Sequence, residues 1–120
     1  MEINPHHFKS ACDNITEQVK SYRGCETEDV ITLLTIQREL AGTAFYLETC
    51  RAEYHTRHQT IMNMLILEGS SAAAAEIKAN VQVPEIYYLR RTMGVVYEIL
   101  SAIRTQISYI KNELKESKAS

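Results

Sequence analysis

Residues 85–116 read EIYYLRRTMGVVYEILSAIRTQISYIKNELKE, and this stretch decides the fold. Apolar side chains recur through it at alternating spacings of three and four residues, at Ile86, Leu89, Met93, Val96, Leu100, Ile103, Ile107, Ile110 and Leu114. Four uninterrupted heptads predict one long α-helix. At 1.5 Å per residue this helix would be about 48 Å long, which favours an elongated hairpin or bundle over a compact globule.

The apolar surface of this helix is wider than a two-stranded coiled coil requires. With Ile86 as heptad position a, Ile99 occupies a g position, and the c positions are Tyr88, Val95, Ala102 and Tyr109. Such a width is typical of a bundle helix that is covered from two directions. Because one chain offers few helices to cover so long a seam, we expect a homo-oligomer, most simply a two-fold dimer.

Composition favours an all-α protein with a single domain, 1–120. Of its 120 residues 45% are hydrophobic, Trp is absent, and four Gly and two Pro are few for a sheet protein. The formal net charge of −2 excludes a general attraction to nucleic acid or to anionic membranes. The longest nearly apolar run, residues 61–67, is too short to cross a bilayer, so we expect no membrane association.

The cysteines and the first residues favour a cytoplasmic location. Three cysteines occur without a CxxC pair, and the chain begins Met-Glu-Ile-Asn-Pro instead of with a signal segment. Both features are typical of reduced, intracellular thiols.

Start and stop signals predict three further helices. Asn4-Pro5 suits the start of the first helix, Gly24 is expected to end it in a left-handed conformation, and Ser70-Ser71 can cap a short Ala-rich helix. These helices are expected at about 5–22, 27–67 and 72–79. The predicted architecture is a long antiparallel helical hairpin with a short bridging helix and an N-terminal helix, forming an oligomeric bundle.

The second helix is apolar at both ends and polar in the middle, around Arg51, His55 and His58. His55 and His58 are three residues apart and can share a helix face, so a metal-binding helical bundle is one alternative. Helical di-iron sites, however, need Glu-x-x-His on more than one helix, which this chain lacks. The other interpretation is a solvated face with acid–arginine pairs at helical spacing. We assign no metal and no cofactor, and keep Arg51, His55 and His58 as a candidate polar ligand site.

No catalytic arrangement emerges from the sequence. Cys50 would need a nearby base, but His55 and His58 are five and eight residues further on, which is unfavourable for contact along one helix. Hydrolase, metalloprotease, phosphate-loop and dinucleotide motifs are all lacking. We expect no enzyme and assign no catalytic residue.

The final helix carries a row of basic side chains. Arg90, Arg104 and Lys111 occupy e positions with Tyr97 between them, and Arg91 is adjacent at an f position. Such a row suits contact with the phosphates of a nucleic acid or of an anionic nucleotide ligand. The alternative is that these side chains cover the seam and pair with acids on a neighbouring helix.

From residue 32 to residue 116 the chain resembles small helical-hairpin proteins of phage and prophage early gene modules, near recombination and single-strand-binding genes. The resemblance rests on the long helix, the SSAAAAEIKA bridge, the Tyr-Tyr start and the LSAIRTQISYIKNELK ending. It implies an oligomeric accessory protein of a mobile element, located in the host cytoplasm and acting beside DNA-processing proteins. The resemblance does not identify any functional residue in this chain.

The sequence therefore predicts a non-enzymatic helical-bundle binding or scaffold protein, a phage or prophage accessory protein that acts with a DNA replication or recombination partner. The first alternative is nucleic-acid or nucleotide binding through the basic row of the last helix. The second is metal binding through His55 and His58.

Overall fold

The computed structural model describes residues 2–26 and 28–119, and this part of the chain contains four helices and no strand. The helices are α1 (Pro5–Arg23), α2 (Val30–Leu67), α3 (Ala72–Gln82) and α4 (Glu85–Ala119). The predicted all-α class is confirmed.

The helix bounds differ from the expected ones by a few residues. The second helix begins at Val30, and Thr27, where its start was expected, lies outside the described residues. The third extends past the expected 79 to Gln82, and the last extends past 116 to Ala119. Neither extension contains Gly or Pro, so nothing in the local sequence ends these helices earlier.

Three side chains cap the helix starts. Asn4 Oδ1 accepts hydrogen bonds from the backbone N–H groups of His6 and His7, at 2.9 and 3.1 Å. Asp29 caps α2 by accepting from the N–H of Thr32 at 3.1 Å. Ser71 Oγ caps α3 by accepting from the N–H of Ala74 at 3.2 Å. Each cap satisfies amide groups that have no partner within the helix, so the sequence itself fixes where these three helices begin.

The left-handed glycine lies at the end of α2 and not at the end of α1. Gly24 has φ −90° and ψ −1°, so the expected left-handed terminator there is wrong. Gly69 has φ 107°. Its N–H donates to the carbonyl of Ile66 at 3.0 Å, and the N–H of Ser70 donates to that of Leu65 at 2.9 Å. These two bonds form a Schellman motif, which requires the positive φ that glycine tolerates best.

Helices α1 and α4 and residues 30–54 of α2 surround one hydrophobic core, and we call this part the three-helix region. The core side chains of α4 are Leu89, Met93, Val96, Ile99, Ile103 and Ile107, all at most 8% exposed. Those of α2 are Leu33, Ile36, Leu40, Ala44, Leu47, Cys50 and Tyr54. Ala11 and Ile15 are the buried residues of α1. The core is thus built from the heptad seam of α4 and a matching seam on α2.

Side-chain hydrogen bonds join the helices that surround this core. Glu48 Oε1 of α2 accepts from the Tyr97 hydroxyl of α4 at 3.0 Å, and Glu28, two residues before the start of α2, lines a cleft with Glu113. Asn14 Nδ2 of α1 donates to Thr43 Oγ1 of α2 at 2.7 Å.

Beyond Tyr54, residues 58–67 of α2 pack chiefly against α3, and we call this part the distal pair. No side chain of residues 58–67 is buried, and α3 buries only Ala75 and Ala79. These two alanines are four residues apart and share one face of α3, which allows the helices to approach closely.

The molecule is elongated. Its extents are 73 × 27 × 23 Å and its radius of gyration is 19.7 Å, against roughly 14 Å expected for a compact domain of this length. No helix among the described residues is both long and apolar enough to cross a bilayer.

Candidate functional site

A small cleft forms where α2, α3 and α4 meet, and it brings together residues that lie far apart in the sequence. Its volume is about 180 Å³, and its lining residues are Arg51, His55, His58, Asn80, Ile86 and Arg90. We call it the polar cleft. The candidate ligand residues of the second helix and one arginine of the basic row thus share a single site, although the sequence suggested two.

Two residues that line the polar cleft, His58 and Arg51, have partners on the protein. His58 Nε2 lies 2.8 Å from Asn80 Oδ1, and because an amide oxygen only accepts, the imidazole donates this bond. Arg51 lies 3.6 Å from Glu48 Oε1, the same oxygen that accepts from Tyr97. Burial and the hydrogen bond to Glu48 raise the pKa of the Tyr97 hydroxyl.

The charge of the polar cleft suits an anionic group. Glu48 partly neutralises Arg51, whereas Arg90 makes no hydrogen bond or ion pair with the residues that the structure describes. A guanidinium without an acid partner favours a phosphate or carboxylate. A cleft of about 180 Å³ is smaller than the roughly 300–1,000 Å³ typical of sites for whole small molecules. The cleft therefore fits one anionic group and not an enclosed nucleotide.

The polar cleft lacks a metal-ligand set. Within residues 2–26 and 28–119, no group of three His, Cys, Asp or Glu side chains could hold a metal ion. His55 and His58 supply two nitrogens, and His58 is engaged by Asn80. Protein zinc sites use at least three protein ligands, so the metal alternative has no support in this geometry.

The basic side chains of α4 do not share one surface in the folded protein. Arg90 faces the polar cleft, whereas Arg91, about 100° further around the helix, lines a groove beside α1. Tyr97, which lies between Arg90 and Arg104 in the row, donates its hydroxyl to the Glu48 carboxylate, which places a negative charge within the row. Arg104 and Lys111 are exposed further along α4. The row is thus not a continuous positive track for a phosphate backbone.

The groove between α1 and α4 is the second positively charged surface, and we call it the basic groove. It has a volume of about 410 Å³ and is lined by Ile15, Thr16, Val19, Lys20, Arg23, Tyr88, Arg91, Thr92 and Val95. Sequence reasoning missed Lys20 and Arg23, which lie in the last turn of α1. Lys20 and Arg23 are three residues apart and therefore share one face of α1, which the sequence shows. This face becomes a candidate site only because Arg91 of α4 lies beside it.

The cysteine environments do not favour nucleophilic chemistry. Cys50 is fully buried in the core, and burial raises the pKa of the half-buried Cys12 thiol. A raised pKa keeps a thiol protonated and unreactive at neutral pH. Burial and the neighbouring Cys50 thiol also raise the pKa of Tyr46 to about 12.

No family model matches the chain, and neither the curated proteins nor the solved structures give a match.

Proposed function

We propose that this protein is a non-enzymatic helical-bundle scaffold that self-associates and binds a partner protein. In this proposal α2 and α4 form an antiparallel hairpin, α3 bridges its end, and α1 supports it from one side. The observation that carries the proposal is the exposure of large apolar side chains on the distal pair.

The distal pair exposes several large apolar side chains, although it buries only two alanines. The exposed fraction is 86% for Leu67, 76% for Val81, 66% for Ile77 and 55% for Met64. Monomeric soluble proteins rarely leave large apolar patches uncovered, and such surfaces commonly mark protein interfaces. Leu67 and Met64 lie on α2, and Ile77 and Val81 lie on α3, so both helices offer exposed apolar side chains.

Non-enzymatic function is supported by the chemistry of the interior. No polar or charged residue is buried among the residues that the structure describes. Catalytic sites usually contain partly buried titratable groups with pKa values matched to their task. The raised pKa of Cys12 is opposite to what a cysteine nucleophile needs.

The resemblance of residues 32–116 to phage and prophage helical-hairpin proteins suggests the kind of partner. On that basis we propose an accessory protein of a mobile element that acts in the host cytoplasm with a DNA replication or recombination protein. An apolar distal pair suits contact with such a protein better than direct contact with DNA, which needs a continuous positive surface.

The polar cleft supports a second candidate function, the binding of a phosphate-bearing ligand such as a nucleotide or the end of a nucleic acid. The observation that favours it is the convergence of Arg90, without an acid partner among the described residues, with His55 and His58. Because the cleft accommodates one anionic group, the remainder of such a ligand would stay exposed to solvent.

Native mass spectrometry of gently purified protein tests both candidates. We expect a dimer or higher oligomer that retains a second protein and carries no small-ligand mass. The double variant Ile77→Lys, Val81→Lys should lose the second protein, whereas Phe45→Lys, which alters a side chain 79% exposed on the three-helix region, should keep it. A bare monomer at micromolar concentration would contradict the scaffold proposal. A ligand mass that Arg90→Ala removes would favour the second candidate.

A further inference from the structure

One face of α4 carries an apolar stripe that stays partly exposed, although α1 borders one end of it. The stripe consists of the heptad c positions Tyr88, Val95, Ala102 and Tyr109. Tyr88, Val95 and Tyr109 are 44%, 37% and 63% exposed, and Ala102 is half-buried. The stripe is about 32 Å long. A repeat of seven residues is the spacing at which one helix packs continuously along another.

The two ends of this stripe carry opposite charge. At Tyr88 and Val95 it borders the basic groove with Lys20, Arg23 and Arg91. At Tyr109 it borders a cleft of about 350 Å³ lined by Glu28, Thr105, Gln106, Tyr109, Ile110 and Glu113, which we call the acidic cleft. None of the three cations of the basic groove forms an ion pair with an acid in the described part of the chain.

We infer that this stripe is the two-fold interface of a homodimer, in which α4 packs antiparallel against α4 of a second copy. The inference rests on the proposed self-association and names the surface that produces it. A two-fold interface must be complementary to itself. With the axis midway between Glu98 and Ile99, Tyr88 meets Tyr109 of the second copy and Val95 meets Ala102.

The charged residues of the basic groove and the acidic cleft are complementary under the same two-fold axis. In the antiparallel arrangement the basic groove of each copy faces the acidic cleft of the other. Arg91 then lies opposite Gln106 of the second copy, in the cleft that Glu28 and Glu113 also line. The pairing occurs twice, once on each side of the axis. Parallel packing would instead place the basic grooves together and the acidic clefts together, and like charges brought together across an interface suppress such a pairing.

The size of the surface agrees with a dimer of moderate affinity. Together with the basic groove and the acidic cleft that border it, the stripe is about 32 Å long and two helix diameters, roughly 20 Å, wide, which offers on the order of 600 Å² per copy. Stable interfaces bury about 800 Å² per partner, and weaker ones less. A small-molecule occupant is disfavoured because the groove is an open trough along two helices, whereas ligand sites enclose most of their ligand.

Charge reversal in sedimentation equilibrium tests the interface. Lys20→Glu with Arg91→Glu gives a basic-end variant, and Glu28→Arg with Glu113→Arg gives an acidic-end variant. Each places like charges at both contact sites, so we expect the dimer dissociation constant to rise at least tenfold. An equimolar mixture of the two variants restores opposite charges and should dimerise within about threefold of the wild-type constant.

The matched control is Arg38→Glu with Lys78→Glu, which reverses two exposed cations elsewhere and should leave the constant unchanged. All reversed positions are exposed, and helical circular dichroism verifies that each variant folds. If both groove variants dimerise like the control, self-association stands and this interface is wrong. If the wild-type protein is monomeric, the proposed self-association fails as well.

A substitution at Glu98 is expected to strengthen the dimer instead of weakening it. It lies beside the middle of the stripe, where the two-fold axis brings a second Glu98 close, and like charges in such positions are mildly destabilising. Glu98→Gln should therefore tighten the dimer about twofold. An unchanged or larger dissociation constant would overturn the position of the axis.

Discussion

The distal pair has a higher proportion of apolar residues than the three-helix region but buries far fewer of them. In the three-helix region Leu33, Leu40 and Leu47 of α2 are at most 1% exposed. In the distal pair the same helix continues with residues 61–67, six of which are apolar, and none of those side chains is buried. The difference arises because α1 and α4 enclose the first part of α2, whereas the short α3 is the main cover of the last part. Burial is therefore decided by the number of neighbouring helices and not by apolar content.

This contrast predicts two levels of stability. Apolar area removed from water contributes roughly 25 cal/mol per Å², and the only buried side chains of the distal pair are the two small ones of Ala75 and Ala79. Regions with few buried apolar contacts open locally at lower free energy than the global core. We expect α3 to detach from α2 while the three-helix region stays folded.

The largest expected effect comes from a core leucine compared with a distal one. Leu47 is 0% exposed and Leu67 is 86% exposed, both on α2. Leu47→Ala should lower the free energy of unfolding by about 2–5 kcal/mol because it leaves a cavity. Leu67→Ala should change it by no more than about 0.5 kcal/mol. Urea unfolding followed by circular dichroism measures both, and similar losses in the two variants would mean that Leu67 is covered in solution.

A smaller effect is expected when the alanine contact of the distal pair is enlarged. Ala79 is 0% exposed and faces α2, whereas Ala73 is exposed on the same helix. Ala79→Leu should weaken the docking of α3 by about 1–3 kcal/mol through overpacking. Ala73→Leu is the control and should have little effect.

Amide hydrogen exchange distinguishes local from global opening in the Ala79→Leu variant. Exchange should become faster in α3 and in residues 58–67 of α2, while the core amides around Leu40 and Ile103 keep their protection. Faster exchange throughout the chain would show that the distal pair and the three-helix region unfold as one unit.

The heptad pattern predicted most of the core of α4, with exceptions at the half-buried Leu100 and near the helix ends. Leu89, Met93, Val96 and Ile103 are buried as the spacing requires, yet Leu114 is 58% exposed. Leu114 extends beyond the start of α2, so no described helix of this chain covers it. A heptad pattern identifies the face that packs but does not show where the neighbouring helix begins.

The candidate sites were predicted only in part, for the same reason. The shared face of His55 and His58 follows from their spacing on one helix, whereas their meeting with Arg90 depends on how α2 and α4 are paired along their lengths. The separation of Arg91 from Arg90 was implicit in their heptad positions, since neighbouring residues point about 100° apart. Lys20 gains significance only through the placement of α1 beside α4.

The smallest expected effect comes from removing one helix cap in each region. Ser71→Ala removes the acceptor for the N–H of Ala74, and Asn4→Ala removes the acceptor for those of His6 and His7. Each cap contributes about 1 kcal/mol. Because α1 belongs to the common core, Asn4→Ala should lower the global free energy of unfolding, whereas Ser71→Ala should leave it unchanged and accelerate exchange about fivefold in α3 only. If Ser71→Ala lowers the global value by as much as Asn4→Ala, α3 folds cooperatively with the core, and the two regions differ in burial but not in stability.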